Sequence, residues 1–486
     1  MQTDDTIVAL ATPSGRGGIG IVRLSGQLAM QIAQKVLRRS ESNVLSTSDD
    51  HQDNISEMTP WRVHYAELCD EQGGVVDQVL ATSFRKPHSY TAENIVEISC
   101  HGSPVVLQFL VERCLKAGAR LAEPGEFTLR AFLNGRIDLT QAEAICDLID
   151  AQTLYQAKVA AQQMKGAVSH RIAPLKRQLV ELISLLEAGI DFADDDVPVL
   201  PAEEIASQLK SIQQGLEKLR ESYRTGKIIH QGLILAIVGR PNVGKSSLFN
   251  CLLGQDRAIV TATPGTTRDL VSETIELNGI PLRFVDTAGI REAFDEAESI
   301  GIRKSYEAAA DSDLALVVLD AAETLRKDDG DLLEQLSGLG KLLVVVNKCD
   351  LPMRCAETQW TEEIHDVLSR AQDGYRKSRG ETLVIFVSAK NGAGMDELQQ
   401  AVLKLTLPAL STDRESQYLT NVRQEGLLGE TLAAFAAAYE SLLQKVPHEM
   451  LLLDLYKALR PLDAITGETT MDDILGNIFS TFCIGK

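Results

Sequence analysis

The octapeptide GRPNVGKS, from Gly239 to Ser246, has the residue types and spacing of a phosphate-binding loop. It follows an apolar run, LILAIV, which predicts a buried strand, and it precedes SLFNCLL, which predicts the start of a helix. In such a loop, backbone N–H groups and the helix N-terminus point at the phosphates. Gly239 and Gly244 permit the tight backbone path, Lys245 is predicted to reach the β- and γ-phosphates, and Ser246 to bind Mg²⁺.

Three further motifs follow in the order expected of a guanine-nucleotide switch: DTAG (286–289), NKCD (347–350) and SAK (388–390). Each ends an apolar run that predicts a strand, and open parallel sheets bind ligands at the carboxyl ends of their strands. Asp286 is predicted to hold Mg²⁺ through the coordination shell of the metal. Asp350 is placed to accept two hydrogen bonds from guanine, a donor pair that adenine lacks. The four motifs therefore predict a GTP-binding domain.

The residues predicted to contact GTP come from these motifs and from the segment between the first two of them. They are Asn242, Val243, Gly244, Lys245, Ser246, Ser247, Thr261, Ala262, Thr263, Pro264, Gly265, Thr266, Thr267, Asp286, Thr287, Ala288, Gly289, Asn347, Lys348, Asp350, Ser388, Ala389 and Lys390.

Two details narrow the type of GTPase. Ile290 follows DTAG, where Ras-like enzymes use a Gln to orient the attacking water, so another group must position the water. The segment TATPGTTRD, 261–269, is rich in hydroxyls, and one Thr is expected to complete the Mg²⁺ shell. The remaining oxygens, with that of Asn242, could hold a monovalent cation against the phosphates. The alternative is a polar loop in which Thr serves turn chemistry.

Length and composition set the broad class. A chain of 486 residues suggests about three domains, and 44% apolar with 24% charged residues is ordinary for a soluble protein. No stretch approaches the roughly 18 apolar residues of a membrane span, and the acidic N-terminus is not a secretory signal. Eight Cys without a C-x-x-C pair suggest neither a zinc site nor a disulfide framework, so a reducing, cytoplasmic location is expected. A net charge of −20 argues against sequence-independent affinity for nucleic acid.

The segments before and after the GTPase motifs differ in their pattern of apolar residues. Residues 1–135 alternate strand-like runs with turns and contain one clear helix, PVVLQFLVERCLKAG, which predicts an α+β domain. GRGGIG, 15–20, lacks the spacing and following helix of a dinucleotide fingerprint and predicts a glycine-rich turn. Apolar residues three or four apart predict helices in 136–228 and again in 405–486, with stripes that are interpreted as bundle core. The GTPase domain, 229–404, is then inserted into a helical domain.

The C-terminal FSTFCIGK is too apolar to remain in water. Phe479, Phe482 and Ile484 predict that this tail docks and carries Cys483 with it. A prenylation box is disfavoured by the ending at Lys486. Cys483 either acts chemically as a thiolate or packs as a small apolar side chain.

Over essentially its whole length the chain resembles the MnmE family of tRNA-modification GTPases, also called TrmE. The residues that carry this resemblance are ATPSGRGGIGIVRLSG, PGEFTLRAFLNGRIDLTQAEAI, GRPNVGKSSLFN, TPGTTRD, DTAGIRE and the terminal FCIGK. The GTPase motifs are shared with ribosome-assembly GTPases, whereas the N-terminal block and the FCIGK ending are far more specific.

The resemblance implies a multidomain fold: an α+β N-terminal folate-binding domain that dimerises, an α-helical central domain, and an inserted α/β Ras-like P-loop GTPase domain. It implies a homodimer that forms a heterotetramer with the FAD-dependent MnmG and modifies C5 of the wobble uridine of certain tRNAs. The implied cofactors are GTP, Mg²⁺, K⁺ and 5,10-methylenetetrahydrofolate, for which 5-formyltetrahydrofolate is an analogue.

The resemblance also assigns site residues. It places folate on Arg23, Glu97, Arg136 and Lys486, where cations suit glutamyl carboxylates and Glu97 suits the N–H groups of the pterin; without the family these would be interpreted as surface charges. It places Mg²⁺ on Ser246 and Thr267, and K⁺ on Asn242, Thr261, Thr263 and Thr266. Catalytic roles fall on Lys245, on Glu298 as the carboxylate that orients the attacking water, and on Cys483.

Two other classes of function stay open at this point. A ribosome-assembly GTPase would carry a second GTPase domain or a basic RNA-binding module, and the chain shows neither pattern. A GTP-regulated scaffold without chemistry would not need charged residues that converge on a folate.

Overall fold

A computed structural model describes residues 5–39, 58–191, 200–255, 274–285, 309–310, 312–338, 341–372, 383–406, 418–468, 475, 478–480, 482 and 485. The chain divides into two compact units. One unit is Met1–Cys146, Gln163–Asp191 and Gln444–Lys486, and the other is Asp147–Gln162 and Phe192–Leu443. Among the described residues, no helix is long and apolar enough to cross a membrane.

The first unit contains a sheet of seven described strands in the order β3-β4-β5-β6-β2-β1-β7, antiparallel except for the pair β1 and β7. The strands are β1 (Ile7–Leu10), β2 (Gly20–Ser25), β3 (Leu37–Arg39), β4 (Val63–Cys69), β5 (Val75–Phe84), β6 (Ile95–Cys100) and β7 (Arg120–Leu121). The helices in this region are α1 (Ala29–Val36), α2 (Pro104–Lys116) and α3 (Glu126–Leu133). This arrangement is the α+β domain that the sequence predicts.

The two faces of this sheet have different roles. Alternate residues of β2 and β6, such as Val22, Leu24 and Ile98, are fully buried and form a core with apolar residues of α1 and α2. Because side chains alternate along a strand, Arg23 and Glu97 point to the opposite face. There they lie directly across from each other in the antiparallel register of β2 and β6. The sheet therefore presents this charged pair on the face away from α1 and α2.

Helices follow the sheet in the chain: α4 (Leu139–Asp150), α5 (Leu154–Met164), α6 (Ala167–Asp191) and α7 (Ala202–Gln231). In α7 the whole predicted stripe is buried: Ile205, Leu209, Ile212, Leu216 and Leu219. Its spacing of three and four residues puts these side chains on one face. The interpretation of the stripe as bundle core is confirmed.

The GTPase motifs lie on a sheet of six described strands in the order β13-β12-β11-β8-β10-β9, parallel except for β9 at the edge. The strands are β8 (Leu233–Val238), β9 (Thr274–Leu277), β10 (Ile280–Val285), β11 (Leu314–Asp320), β12 (Leu342–Asn347) and β13 (Leu383–Phe386). The helices are α8 (Lys245–Gln255), α9 (Lys327–Ser337), α10 (Glu357–Gln372) and α11 (Met395–Thr406). Apart from Asp320 and Asn347 at the carboxyl ends of β11 and β12, the central strands β8, β11 and β12 are apolar. Separate apolar clusters cover both faces of the sheet.

Two long helices complete the described chain, α12 (Val422–Leu443) and α13 (His448–Thr466). In the second unit α12 packs against α7, and in the first unit α13 packs against α6. Each of these two helices therefore packs against a helix that precedes the GTPase domain in the sequence. The predicted fold class is confirmed: a multidomain chain with an α+β N-terminal part, helices, and an inserted α/β domain.

Candidate functional site: a GTP site and a charged pair beside the C-terminal tail

The phosphate loop connects β8 to α8, as the sequence predicts. Gly239 leaves the strand with φ +151°, and a Cβ placed there would lie 2.5 Å from the carbonyl oxygen of Val318 in β11. Only glycine allows this close approach of two strands. Asn242, at the turn of the loop, has φ +64° and is exposed. The loop then enters α8 at Lys245, so that the helix N-terminus faces the same space.

Lys245 is bonded to the loop itself in this structure. Its Nζ donates to the carbonyl oxygens of Gly239, at 2.8 Å, and of Arg240, at 2.7 Å. Burial lowers the pKa of this ammonium group, because a buried charge loses hydration. The ammonium group has three N–H donors, so Lys245 can donate to a phosphate oxygen while it keeps both carbonyl partners.

The NKCD motif is fastened to the phosphate loop by two side chains. Asn347, at the end of β12, is 1% exposed, and its Nδ2 donates to the carbonyl oxygen of Val243 at 3.0 Å. Lys348 Nζ donates to the carbonyl oxygen of Asn242 at 2.7 Å and pairs with Asp320 at 2.6 Å. Loops after two different strands therefore share one hydrogen-bonded frame.

The SAK motif joins the same frame. Ala389 N–H donates to Asn347 Oδ1 at 3.0 Å, and the fully buried Ser388 donates from Oγ to Asp350 Oδ1 at 2.7 Å. A hydroxyl that fixes one carboxylate oxygen orients the Asp350 side chain for an incoming donor pair. The structure thus brings together the described members of three predicted motifs: 242–247, 347–350 and 388–390.

Several predicted site residues lie outside the described residues. They are Thr261, Ala262, Thr263, Pro264, Gly265, Thr266, Thr267, Asp286, Thr287, Ala288, Gly289, Glu298, Cys483 and Lys486. The roles that the sequence assigns to them stay predictions.

The charged pair of the N-terminal sheet is the second site. Arg23 donates from Nε to Glu97 Oε1 at 2.8 Å, and its Nη2 lies 2.8 Å from the same oxygen. The guanidinium lies 5.6 Å from the ring centre of Tyr90 and 5.7 Å from that of Phe127. Both charged side chains stay partly exposed, at 20% and 27%. Arg136 is exposed in the turn between α3 and α4, and its side chain makes no ion pair with another described residue.

The C-terminal tail reaches this pair. Arg23 Nη1 donates to the carbonyl oxygen of Gly485 at 3.4 Å. Gly485 has φ +100°, and a Cβ there would collide with the carbonyl oxygen of Leu10 in β1. Phe479 and Phe482 are 2% and 6% exposed and pack in one cluster with apolar residues of α3 and α4. The predicted docking of the tail is confirmed for its described residues.

Sequence reasoning missed the groups that hold these site residues in place. Tyr90 and Phe127 flank Arg23, and Asp320 pairs with Lys348. Asp320 had a readable signal, since it ends the apolar run LALVVL in the same way that the four motifs end theirs. The aromatic residues carried no such signal because nothing in their spacing relates them to Arg23.

Comparisons with known proteins identify the family. A family profile described as the N-terminus of the GTP-binding protein TrmE matches residues 6–136, and one described as the MnmE helical domain matches 139–483. A tRNA modification GTPase MnmE of Koribacter versatilis (strain Ellin345) is 55% identical over 489 residues, covering 100% of both chains. Proteins of the same name from Aquifex aeolicus (strain VF5) and Acetivibrio thermocellus are 41% and 39% identical, covering 99% and 100% of this chain and 100% of each relative. With the described residues of three nucleotide-binding motifs joined in one frame and full-length relatives at this identity, the chain belongs to the MnmE family of tRNA modification GTPases.

Proposed function

We propose that this protein is a K⁺-stimulated GTP hydrolase that acts with the FAD-dependent partner MnmG on certain tRNAs in the cytoplasm. The reaction adds an aminomethyl or carboxymethylaminomethyl group to C5 of the wobble uridine, and tetrahydrofolate supplies the one-carbon unit. The observation that carries the nucleotide part is the frame centred on Asn347, which bonds the phosphate loop at Val243 and the SAK loop at Ala389.

The described residues have defined tasks when GTP binds. Asp350, oriented by Ser388, accepts the N1–H and amino hydrogens of guanine. Lys245 donates its third N–H to the phosphates. Glu298 lies outside the described residues, and the family resemblance assigns to it the orientation of the attacking water. Positioning and charge stabilisation of this kind account for most of the catalysis in phosphoryl transfer.

The residues present suit the two cations. Mg²⁺ would be held by Ser246 and Thr267, and K⁺ by Asn242, Thr261, Thr263 and Thr266. Asn242 is exposed, and its backbone oxygen already accepts from Lys348, so its side-chain oxygen is the one offered to an ion. When bound, the cations neutralise charge that develops on the phosphates.

The charged pair suits a folate. Only Oε1 of Glu97 is engaged by Arg23, so among the described residues Oε2 has no partner and can accept from a pterin N–H. Among the described residues, Arg23 Nη1 makes only one long bond, to the carbonyl oxygen of Gly485. This nitrogen therefore keeps a donor for a carboxylate of the ligand. Arg136 and Lys486 would supply the further cations, and the tail that ends in Lys486 runs beside Arg23.

An apolar surface supports pairing of two copies through the N-terminal domain. Val63 and Tyr65 of β4 and Leu80 of β5 are 63%, 47% and 46% exposed, and Trp61 before β4 is 65% exposed. Tyr65 lies opposite Leu80 in the register, so these side chains share one face. Contiguous exposed apolar surface of this type marks an interface, and a homodimer buries the same patch from both copies.

Mass spectrometry of wobble uridines tests the whole proposal. A strain that lacks the gene should accumulate unmodified uridine, and the parent protein should restore the modified base. Lys245→Ala should fail to restore it because nucleotide binding is lost, and Arg23→Ala should fail although GTP hydrolysis continues. Arg38→Ala, a change at an arginine that is 54% exposed, is the matched control and should restore it fully. Full modification with Lys245→Ala would contradict the proposal.

Variants of the tail test whether the Cys483 thiol acts chemically or only packs. Cys483→Ser should leave GTP hydrolysis intact and abolish tRNA modification if the thiol acts chemically. Deletion of the last four residues should weaken folate binding measured by calorimetry. Full modification by Cys483→Ser would leave the thiol a packing residue, and unchanged folate affinity after truncation would exclude the tail from the site.

A further inference from the structure

Arg240, inside the phosphate loop, makes contacts that the nucleotide site itself does not require. Its Nε donates to Asp329 Oδ1 at 2.6 Å and its Nη2 to Glu323 Oε2 at 2.9 Å. The side chain is 14% exposed, and that of Asp329 only 2%. Burial alone would lower the pKa of Arg240, but the bonds to the two carboxylates outweigh it and raise the pKa. The two short bonds and the burial of Asp329 make this ion pair a fixed part of the fold.

Both acidic partners are themselves held in place. Asp329 is the third residue of α9, and its Oδ2 accepts from the backbone N–H of Arg326 at 3.1 Å, in a capping box. Glu323 accepts from the Arg326 guanidinium at 2.8 Å. A guanidinium that binds two prepositioned carboxylates loses little further freedom. Arg240 is thus attached to the start of α9 rather than to a loose surface group.

The same segment holds the loop at a second point. Lys348 connects the carbonyl oxygen of Asn242 to Asp320, which ends β11 three residues before Glu323. The phosphate loop is therefore anchored on both sides of Pro241 to residues 320–329. One anchor, through Lys348, belongs to the guanine-binding motif described above, whereas the anchor through Arg240 has no part in it.

The anchor matters because of what Lys245 must do. Lys245 Nζ donates to the carbonyl oxygens of Gly239 and Arg240, and its third N–H is the donor left for a phosphate. The loop backbone therefore sets the position of Lys245. The side chain of Arg240 fixes this part of the loop through Asp329 and Glu323, so it positions Lys245 indirectly.

We propose that Arg240 is a positioning residue for nucleotide binding, which keeps the phosphate loop in its binding conformation through Asp329 and Glu323. The inference rests on the GTP binding and hydrolysis proposed above and on nothing about folate or tRNA. A loop without this anchor must be ordered by the nucleotide, so affinity falls for GTP and GDP together.

The test measures binding and turnover of the full-length chain. For Arg240→Met we expect roughly 10- to 100-fold weaker binding of fluorescent GDP and of a non-hydrolysable GTP analogue, in line with truncation of one partner of a buried ion pair. Turnover at saturating GTP should fall by a smaller factor than affinity. Arg240→Lys should recover part of the loss, because it keeps the charge without the planar fork.

Three further variants locate the effect. Asp329→Asn should also weaken nucleotide binding. The double variant Arg240→Met with Asp329→Asn should bind no more weakly than the weaker-binding single variant, because both substitutions remove the same ion pair. Lys327→Met is the matched control: this cation begins α9, is exposed, and forms no ion pair with another described residue. Its nucleotide affinity should stay within twofold of the parent.

The outcomes separate this inference from the proposed function. Folded Arg240→Met and Asp329→Asn proteins that bind both nucleotides within twofold of the parent would overturn it. So would a loss of turnover larger than the loss of affinity, which would mean a direct catalytic contact. If Arg240→Met does not fold, Arg240→Lys and Asp329→Asn give the same decision. A parent that binds GTP without hydrolysing it would instead contradict the proposed function and leave the binding comparison valid.

Discussion

Phe479 anchors the C-terminal tail, and replacing it by Ala should release the tail without unfolding the domain beneath it. The ring is 2% exposed and lies 5.3 Å from the ring centre of Phe482 and 6.4 Å from that of Phe132. Its carbonyl oxygen lies close to Gly125, where an added Cβ would approach it to 2.5 Å. The side chain thus fills a closed apolar site between α3 and the tail.

The size of the effect follows from these contacts. Burial of a Phe side chain is worth about 1.5–3 kcal/mol, and each aromatic pair adds about 0.5–1.5 kcal/mol. When the tail detaches by itself, the loss is limited to its docking free energy. A loss of about 3 kcal/mol corresponds to a roughly 10²-fold larger detached population.

Hydrogen exchange measured by mass spectrometry on a peptide that covers 475–486 provides the assay. In Phe479→Ala these amides should exchange roughly 10²-fold faster, because exchange through local opening follows the opening free energy. Peptides from β2 and β6 should keep their parental rates. Phe435→Ala removes the same atoms from a buried position in α12, in the other unit, and should leave tail exchange within threefold. Unchanged tail exchange in Phe479→Ala, or equal acceleration throughout the N-terminal sheet, would refute the reasoning.

Four further outcomes are expected. Replacement of K⁺ by Na⁺ at equal ionic strength should sharply lower GTP turnover, and equal rates would count against a bound K⁺. Glu298→Ala should keep GTP affinity and lose hydrolysis by roughly 10² to 10⁴, which single-turnover kinetics can measure. Thr153→Val removes the 2.5 Å bond from Oγ1 to the Gly279 carbonyl oxygen, so exchange in the β9–β10 turn should show opening easier by about 1–3 kcal/mol. Burial disfavours ionised Glu126, but the bonds from Arg120, the Glu123 N–H and Arg130 prevail and lower the pKa of Glu126. The stability it provides is thus present above its unfolded pKa and lost as the pH falls through the folded pKa, and Glu126→Gln should flatten the acid side of a thermal-unfolding profile.

The nucleotide-binding loops could be predicted because their positions follow from local rules. Each motif comes directly after an apolar run, and parallel strands buried on both faces must read as such runs. The order of these strands in the sheet could not be predicted in the same way. LILAIV, LALVVL and LLVVV are nearly interchangeable as apolar segments, so their neighbours are decided by helix packing and loop length.

In the N-terminal domain, too, some elements could be predicted from the sequence and others could not. The runs DTIVALATP, GIGIVRLSG, VVDQVLATSF and ENIVEISCHG predict strands and coincide with β1, β2, β5 and β6. The predicted helix is α2, closed at Gly118 with φ +114°. β4 was not predicted, and its outward residues Val63 and Tyr65 are apolar and exposed. Its alternation of buried and exposed positions is therefore not an alternation of apolar and polar types. Exposed apolar side chains on a strand thus hide the pattern by which a strand is recognised.

Long-range ion pairs are the part of the site that no local pattern contains. Arg240 and Asp329 are 89 residues apart, and Arg23 and Glu97 are 74 apart. In sequence each of these residues is one charge among 116 Lys, Arg, Asp and Glu residues, 48 basic plus 68 acidic. What separates these pairs from surface charges is burial on a shared frame: Arg240 is held by the start of a helix, and Arg23 lies between two aromatic rings. Residues that position a site therefore emerge only with the fold, whereas residues that touch the ligand are already visible in the motifs.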